Sequence, residues 1–525
     1  MQTATLSENR FRTARNDETL VWKLDHKLPE SFIVGQGNVL FLSGWCYHTR
    51  RSIRHLGLLL NGRLHRIFNH SLGDVETFSS QPPQLDEAGR SLTSRFWTAL
   101  PFDKINDPDE VELTLHAELD NGVSCESLIG RLDLLPAVER HPAAYPSEVS
   151  RGNGEPLVVI CMGSYNPPLD LFVSQIESLI RQTHRNWLCI INDDHSADDI
   201  WEGIRHMAVR DKRFVLSRNP ERLGFYRNFE RCLDLVPPGA EFVALADQDD
   251  YWHPDKLEKS LAAFQTEISL VYSDMEVVTR RGEVMSKTLW ATRDNNYTDL
   301  ETLLYANTIT GAATVFRASL LDDLLPFPNL PGDAYHDHWI ACVALTKGTI
   351  GYVAEPLYSW LQHEGNACGF VSTQPAKIKK WMELKTFAYL VVLFLRHSTN
   401  FGAYLTGLRQ QYCNYFVGVV VLAKALRLRV KSAPQDKKAT LERFEKFEHS
   451  LPALAVHAGK CSLFKKATLG RGLTCFRVAL SVRLFNIYCR RARPLFQRQR
   501  LNTAHPGDFS ATPTNLEAHC ETSKD

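Results

Sequence analysis

At 525 residues the chain is longer than one hydrophobic core usually supports, so two or three domains are expected. Its 44% apolar and 23% charged residues are those of a globular protein, and exclude a disordered or collagen-like chain. Sixty basic residues balance sixty acidic ones, so nucleic acid is not expected as a partner. No stretch holds the roughly 18 apolar residues that cross a membrane. Phe387–Leu395 and Tyr415–Ala423 are shorter and read as buried core helices. The twelve cysteines stand singly without a CxxC pair, which argues against a zinc site or redox motif. Met1–Asp17 has no apolar run of a secretory signal, so reduced thiols in the cytosol are the expectation.

In chain order, residues 1–29 read as a flexible N-terminus. Short β-rich runs follow at Phe32–His48, His55–Phe68, Ser94–Phe102 and Glu110–Leu119. They are broken at Asn61-Gly62, Asn106-Asp107-Pro108 and Asn121-Gly122. This spacing predicts a β-sandwich over 30–136. Residues 137–155, rich in Pro and Gly, read as a linker. From Pro156 apolar strands alternate with helices: strands at Leu157–Met162, Trp187–Ile191, Arg213–Ser217 and Glu241–Ala246, helices at Leu171–Gln182, Ile200–Val209 and Phe225–Leu235. That alternation predicts a mostly parallel α/β sheet over 156–374, with ligands beyond the carboxyl ends of its strands. Residues 375–500 read as a helical, basic region and 501–525 as a disordered tail. Between Leu451 and Arg500 there are eleven Lys or Arg and no acidic residue. Thr474–Cys489 places Arg among apolar residues at helical spacing. Such a helix can lie on an anionic membrane surface, here the inner face of the cell membrane, or can be a solvated face packed on the core.

Two acidic clusters fall at strand ends, Asn192-Asp193-Asp194 and Asp247-Gln248-Asp249-Asp250. Carboxylates so placed can hold Mg²⁺ or Mn²⁺, which neutralises charge on a leaving diphosphate. Acidic runs also cap helices, and the helix expected over Pro254–Phe264 gives one of these Asp a capping role.

Residues 156–370 resemble the family 2 glycosyltransferases, which share the GT-A fold, and within them the bacterial rhamnosyltransferase type. The resemblance is carried by motifs in the family's order. Ser164-Tyr165-Asn166, Ile176–Thr183 and Asp193-Asp194-His195-Ser196 come first. Asn219, Gly224, Asn228, Ala246–Trp252 and Tyr272-Ser273-Asp274 follow. Asn307 and Gly311 in an apolar strand, His336-Asp337-His338-Trp339 and Gln362–Asn366 complete it. The resemblance implies that Tyr165, Asp193, Asp194, Asn228, Asp247 and Trp339 bind the nucleotide-sugar. It implies a divalent cation at Asp247, Asp249 and His363. Asp337 would be the general base of a single displacement with inversion. The acceptor would be a hydroxyl of a saccharide or lipid-linked saccharide in surface-polysaccharide synthesis. The DQDDYW and QHEGN patterns favour dTDP-L-rhamnose as donor, with a UDP-hexose or UDP-N-acetylhexosamine as the alternative. From another class, the chain would be a non-catalytic carbohydrate-binding protein on a transferase fold. His195 departs from the family, which has Gly there, a position that favours a permissive backbone. In the sandwich, Trp45, Tyr47 and Trp97 are candidates for stacking on sugar rings.

Overall fold

The structure, a computed structural model, describes residues 14–15, 19–136, 140, 142, 154–291, 295–332, 334–363, 401–463 and 471–503. Most of the linker, the helix expected at Phe387–Leu395, Glu364–Asn366 of the QHEGN motif and the tail from 504 lie outside these residues.

The first module contains strands β1 (Ala14–Arg15), β2 (Leu20–Leu24), β3 (Ser31–Ile33), β4 (Gly37–His48), β5 (Ile53–Leu60), β6 (Arg63–Ile67) and β7 (Asn69–Leu72). After helix α1 (Val75–Ser80) come β8 (Arg95–Asp103), β9 (Asp109–Leu119) and β10 (Ser124–Leu135). One sheet runs β1-β10-β9-β5-β6, with β3 also on β10, and the other β2-β4-β8-β7. Strand β9 alternates buried and half-exposed residues, the period-2 pattern of a strand with one covered face. Leu40 and Leu42 of β4 and Phe96 and Leu100 of β8 meet Leu58, Leu113 and Leu115 in the sandwich core. Strand β2 pairs with β4, so the module takes in residues expected to be flexible. Tyr47 and Trp97 are only 2% and 4% exposed, which makes them packing residues rather than sugar platforms.

The second module contains β11 (Val158–Ser164), α2 (Leu169–Ile180), β12 (Trp187–Asp193), α3 (Asp198–Ala208), β13 (Phe214–Arg218), α4 (Phe225–Asp234), β14 (Phe242–Ala246), β15 (Tyr251–Trp252) and α5 (Lys256–Ala262). It continues with β16 (Ile268–Thr279), β17 (Val284–Ser286), α6 (Leu300–Tyr305), β18 (Thr314–Arg317), α7 (Leu321–Leu324), α8 (His336–Lys347) and β19 (Thr349–Gln362). Sheet order is β13-β12-β11-β14-β18-β16-β19-β15. Val158–Met162, Trp187–Ile191 and Phe242–Ala246 are buried throughout, as helix-covered strands must be. Burying each such Val, Ile or Leu side chain contributes about 1.5–3 kcal/mol.

The sheet is mixed rather than mostly parallel. β13, β12, β11 and β14 run parallel, but β18 is antiparallel to β14 and β16. The turn Gly311–Ala313 returns the chain to the sheet from the end at which β14 leaves it. Gly311 and the loop before it therefore sit at the carboxyl edge of the parallel strands.

The C-terminal region is helical: α9 (Phe401–Tyr412), α10 (Gly418–Arg429), α11 (Gln435–Glu445), α12 (Leu451–Leu463) and α13 (Arg471–Thr503). Helix α10 joins the two modules. Val420, Val421 and Leu426 are buried in one core with Val39, Trp97 and Ala99 of the sandwich and the central strands of the second sheet. Arg429, 2% exposed, donates to Gly37 O in the first module and to Asp323 O and Pro326 O in the second. Three carbonyl acceptors offset the cost of burying its charge.

Candidate active site

The parallel strands leave β11 in both directions, toward β12 on one side and β14 on the other. That reversal opens a crevice at the carboxyl ends of β11 and β14, the usual ligand site of open α/β sheets. Tyr165 follows β11 there, and Asp247-Gln248-Asp249-Asp250 follows β14. Gln248 closes the gap, accepting from Tyr165 N at 2.8 Å and donating to Tyr165 O at 3.2 Å. None of these aspartates caps α5, whose N-cap is Asp255.

Asp249 Oδ2 lies 2.8 Å from His363 Nε2, at the end of β19. Asp247 is pushed up to about 7 by burial, then by the negative charges of Asp249 and Asp337, against the pull of Lys256. Asp250, 1% exposed, is also pushed up by burial and by Asp247 and Asp249. Among the described residues, the cation inside this group is Lys256, fully buried. Its ammonium donates to Ala312 O and sits 3.7 Å over the Trp252 ring and 4.5 Å over that of Tyr358. Burial pushes this ammonium down to about 7. Negative charge is thus in excess, which favours a divalent cation, and carboxylate with imidazole is a donor set that Mn²⁺ or Mg²⁺ accepts. Among the described residues no three His, Cys, Asp or Glu side chains converge as a ready-made cage. Asp249 and His363 are the pair that could take part in holding such an ion.

Asp337 stands in the first turn of α8. Its carboxylate accepts from His338 N at 2.6 Å and from Gly311 N at 3.3 Å. Burial pushes it up to about 6 against these bonds and the Asn307 side chain. A Cβ at residue 311 would come within 2.8 Å of His336 Nε2, so glycine lets this backbone approach the first turn of α8.

Other expected ligands are occupied by the protein itself. Asp193 accepts from Ser196 N at 2.9 Å and Ser196 Oγ at 2.5 Å, with Arg218 at 3.4 Å. Asp194 accepts from Asn219 Nδ2, Leu223 N and Gly224 N, all within 2.9 Å. Asn228, 3% exposed, accepts from Asn192 at 2.7 Å and Asn219 at 2.9 Å, and donates to Asn192 O. These residues tie the strand ends to α4, and Asn228 is buried in an amide network with Asn192 and Asn219. Trp339 is fully buried, its indole N–H on Leu324 O at 3.0 Å. It fills the core behind α8 instead of facing a sugar. Trp339→Phe is therefore expected to lower stability by about 1–2 kcal/mol in denaturant unfolding while leaving donor KM within about twofold.

Tyr165 is exposed, with the Arg222 guanidinium 4.2 Å over its ring. His195 is exposed in the left-handed region at φ +64, its Nδ1 3.3 Å from Asn219 O. His195→Gly should change stability by less than about 1 kcal/mol, and His195→Val should cost about 1–2 kcal/mol in thermal unfolding. Gln248 and Lys256 are site residues that sequence reasoning passed over. The signal for Lys256 was its place one turn after an aromatic pair that β15 buries.

Residues 159–325 match the family model described as glycosyl transferase family 2. They form a family 2 glycosyltransferase domain. The expected α/β GT-A architecture is thus present with an N-terminal β-sandwich and C-terminal helices. The uncharacterized protein y4gI of Sinorhizobium fredii is 27% identical over 43% of this chain and 25% of its own length. The UDP-Glc:alpha-D-GlcNAc-diphosphoundecaprenol beta-1,3-glucosyltransferase WfaP of Escherichia coli is 32% identical over 21% of this chain and 42% of its own. The chain therefore spans less than half the length of either relative. Among solved structures, Staphylococcus aureus TarS with UDP-GlcNAc is 17% identical over 63% of this chain and 92% of that one, with a TM-score of 0.36.

Proposed function

We propose that the protein is an inverting glycosyltransferase that moves a sugar from a nucleotide-diphospho-sugar to a hydroxyl of a polysaccharide precursor. The observation that carries this reading is one half-buried carboxylate, Asp337, held by two backbone N–H groups beside the Asp247, Asp249 and His363 group at the switch point. Asp337 takes the proton of the acceptor hydroxyl as that oxygen attacks the anomeric carbon and the carbon–oxygen bond to the diphosphate breaks. Asp249 and His363, with Asp247 beside them, would hold Mg²⁺ or Mn²⁺, which when bound offsets charge on the leaving diphosphate. Tyr165, fixed by Gln248, and the Arg222 cation over it border the place of the nucleotide. Asp193 and Asp194, both buried, shape that border through their bonds to Ser196, Asn219, Leu223 and Gly224.

The motif pattern supports dTDP-L-rhamnose as donor. The name of WfaP supports a UDP-hexose as the second reading. The acceptor would be a saccharide or a lipid-linked saccharide, reached by a protein peripheral to the inner face of the cell membrane. The test is a panel of dTDP- and UDP-sugars with Mn²⁺ or Mg²⁺, scored for nucleoside diphosphate release beside Asp249→Ala and Asp337→Asn. Release from one donor that both variants lose supports the enzyme and names its sugar. No release and no metal-dependent donor binding by calorimetry would move the reading to a carbohydrate-binding protein.

A further inference from the structure

Helix α13 runs for 33 residues without an acidic side chain. Its two faces meet different surroundings. One is fastened to the N-terminal module. Phe485, Tyr488, Cys489 and Phe496 pack with Phe78 and Leu92. Gly73 N donates to Asn486 Oδ1 at 2.5 Å, Arg493 to Thr93 Oγ1 at 2.8 Å and Gln497 to Glu87 O at 2.7 Å. Arg500 lies 4.5 Å over the Phe78 ring and 3.7 Å from Asp86. Gly73 is part of this seat, since a Cβ there would come within 2.5 Å of the Phe485 ring.

The opposite face is open. Arg483, Ile487, Arg490, Arg491, Leu495 and Arg498 are all exposed. At about 100° per residue they fall within about 80° of Ile487, so they form one stripe. Ile487 and Leu495, 45% and 47% exposed, stand among these arginines on the same stripe. The four arginines make no hydrogen bond or ion pair among the described residues. Arg493 and Arg500, by contrast, are engaged in holding the helix to the sandwich.

We propose that the outer face of α13 docks on the headgroup layer of an anionic lipid leaflet, and that the N-terminal sandwich is the rigid mount that presents it. This deepens the membrane partner proposed above. Unpaired guanidiniums on an acid-free helix suit a surface dense in phosphate. Isolated Ile and Leu between them can enter the boundary between headgroups and acyl chains. A helix already seated on a folded module loses little conformational entropy on docking, unlike a tail that must fold there. The arrangement gives the sandwich a role that its buried Tyr47 and Trp97 do not.

The experiment is flotation of the full chain with vesicles of phosphatidylcholine alone or mixed with phosphatidylglycerol. Wild type should float only with the mixed vesicles. Arg490→Ala/Arg491→Ala/Arg498→Ala should bind roughly 100-fold more weakly, about fivefold for each arginine near the surface. Ile487→Asp/Leu495→Asp should also lose binding, and both variants should melt like wild type. Three results would overturn the proposal: wild type that does not distinguish the vesicles, variants that float like wild type, or wild type that stays unbound and forms a dimer that the triple-Ala variant breaks. Donor turnover is measured on the same preparations. A chain that floats but shows neither turnover nor metal-dependent donor binding removes the enzyme reading and keeps this one, and turnover without flotation does the reverse.

Discussion

Asp249→Ala should lower metal-dependent nucleoside diphosphate release on the order of 10³-fold, about 4 kcal/mol of transition-state stabilisation. Asp249 is the aspartate of its cluster that reaches His363, at 2.8 Å, and is 14% exposed at the side chain. It is therefore the carboxylate best placed to meet both an imidazole and a diphosphate. His363→Ala should cost less, about 10- to 100-fold, because it removes a neutral ligand and leaves the charge. Stability should move differently from activity. Asp249 adds to the negative charge that pushes Asp247 and Asp250 up, so removing it relieves repulsion as well as one hydrogen bond. The Ala variant should melt within a few degrees of wild type, a loss of about 1 kcal/mol at most. Mn²⁺ titration of activity and a thermal melt of the same protein check both halves. Full activity with a normal metal requirement would remove Asp249 from the site.

Strands β11, β12 and β14 were legible because helices cover both faces of the sheet, which forces continuous apolar runs. The acidic ends of β12 and β14 followed from the same reading. The antiparallel half was not legible. In β16, nine of twelve residues are buried, so no alternation marks its faces, and Ser273-Asp274 in its middle reads as a break. Helix α8 carries the same difficulty, with Trp339, Ile340, Ala341, Cys342 and Val343 all buried. A helix covered on all sides has no polar stripe to say which way its tryptophan points. The bonding of Asn228 was hidden for another reason. Its amide partners Asn192 and Asn219 lie 36 and 9 residues away, and only the fold brings them together. Lys256 is the converse case, because a lysine after a Pro-Asp turn reads as surface. What buries it is the pair of rings, Trp252 and Tyr358, from strands that pair across the sheet edge. The basic C-terminal helix was legible in charge but not in division of labour. Composition alone cannot separate the arginines that grip Thr93 and Asp86 from those that face outward.

Asp337→Asn should lower kcat by 10²- to 10⁴-fold, on the order of a lost general base, with donor binding unchanged by calorimetry. The asparagine keeps the shape of the side chain and can still accept one of the bonds from Gly311 N and His338 N. What it gives up is basicity, so the loss falls on the chemical step and not on assembly of the site. The pH dependence makes the assignment specific. Burial pushes Asp337 up to about 6, and the base works only when ionised. In wild type kcat/KM should fall about tenfold per pH unit below about 6 and level off above it. In the variant that limb should disappear. Stability runs the other way. A carboxyl raised in the folded state holds its proton more tightly there than in the unfolded chain. Its contribution is full below the unfolded value of 3.8 and is lost as pH rises through about 6. At neutral pH wild type therefore keeps a buried charge at a cost on the order of 3 kcal/mol, an upper bound because the carboxylate is partly open to solvent. Asp337→Asn should be the more stable protein at pH 7, and the gap should shrink as pH falls toward 4. Denaturant unfolding at the two pH values, beside the kinetics, separates a residue retained for reaction from one retained for structure, because only the former makes the protein less stable where it is most active.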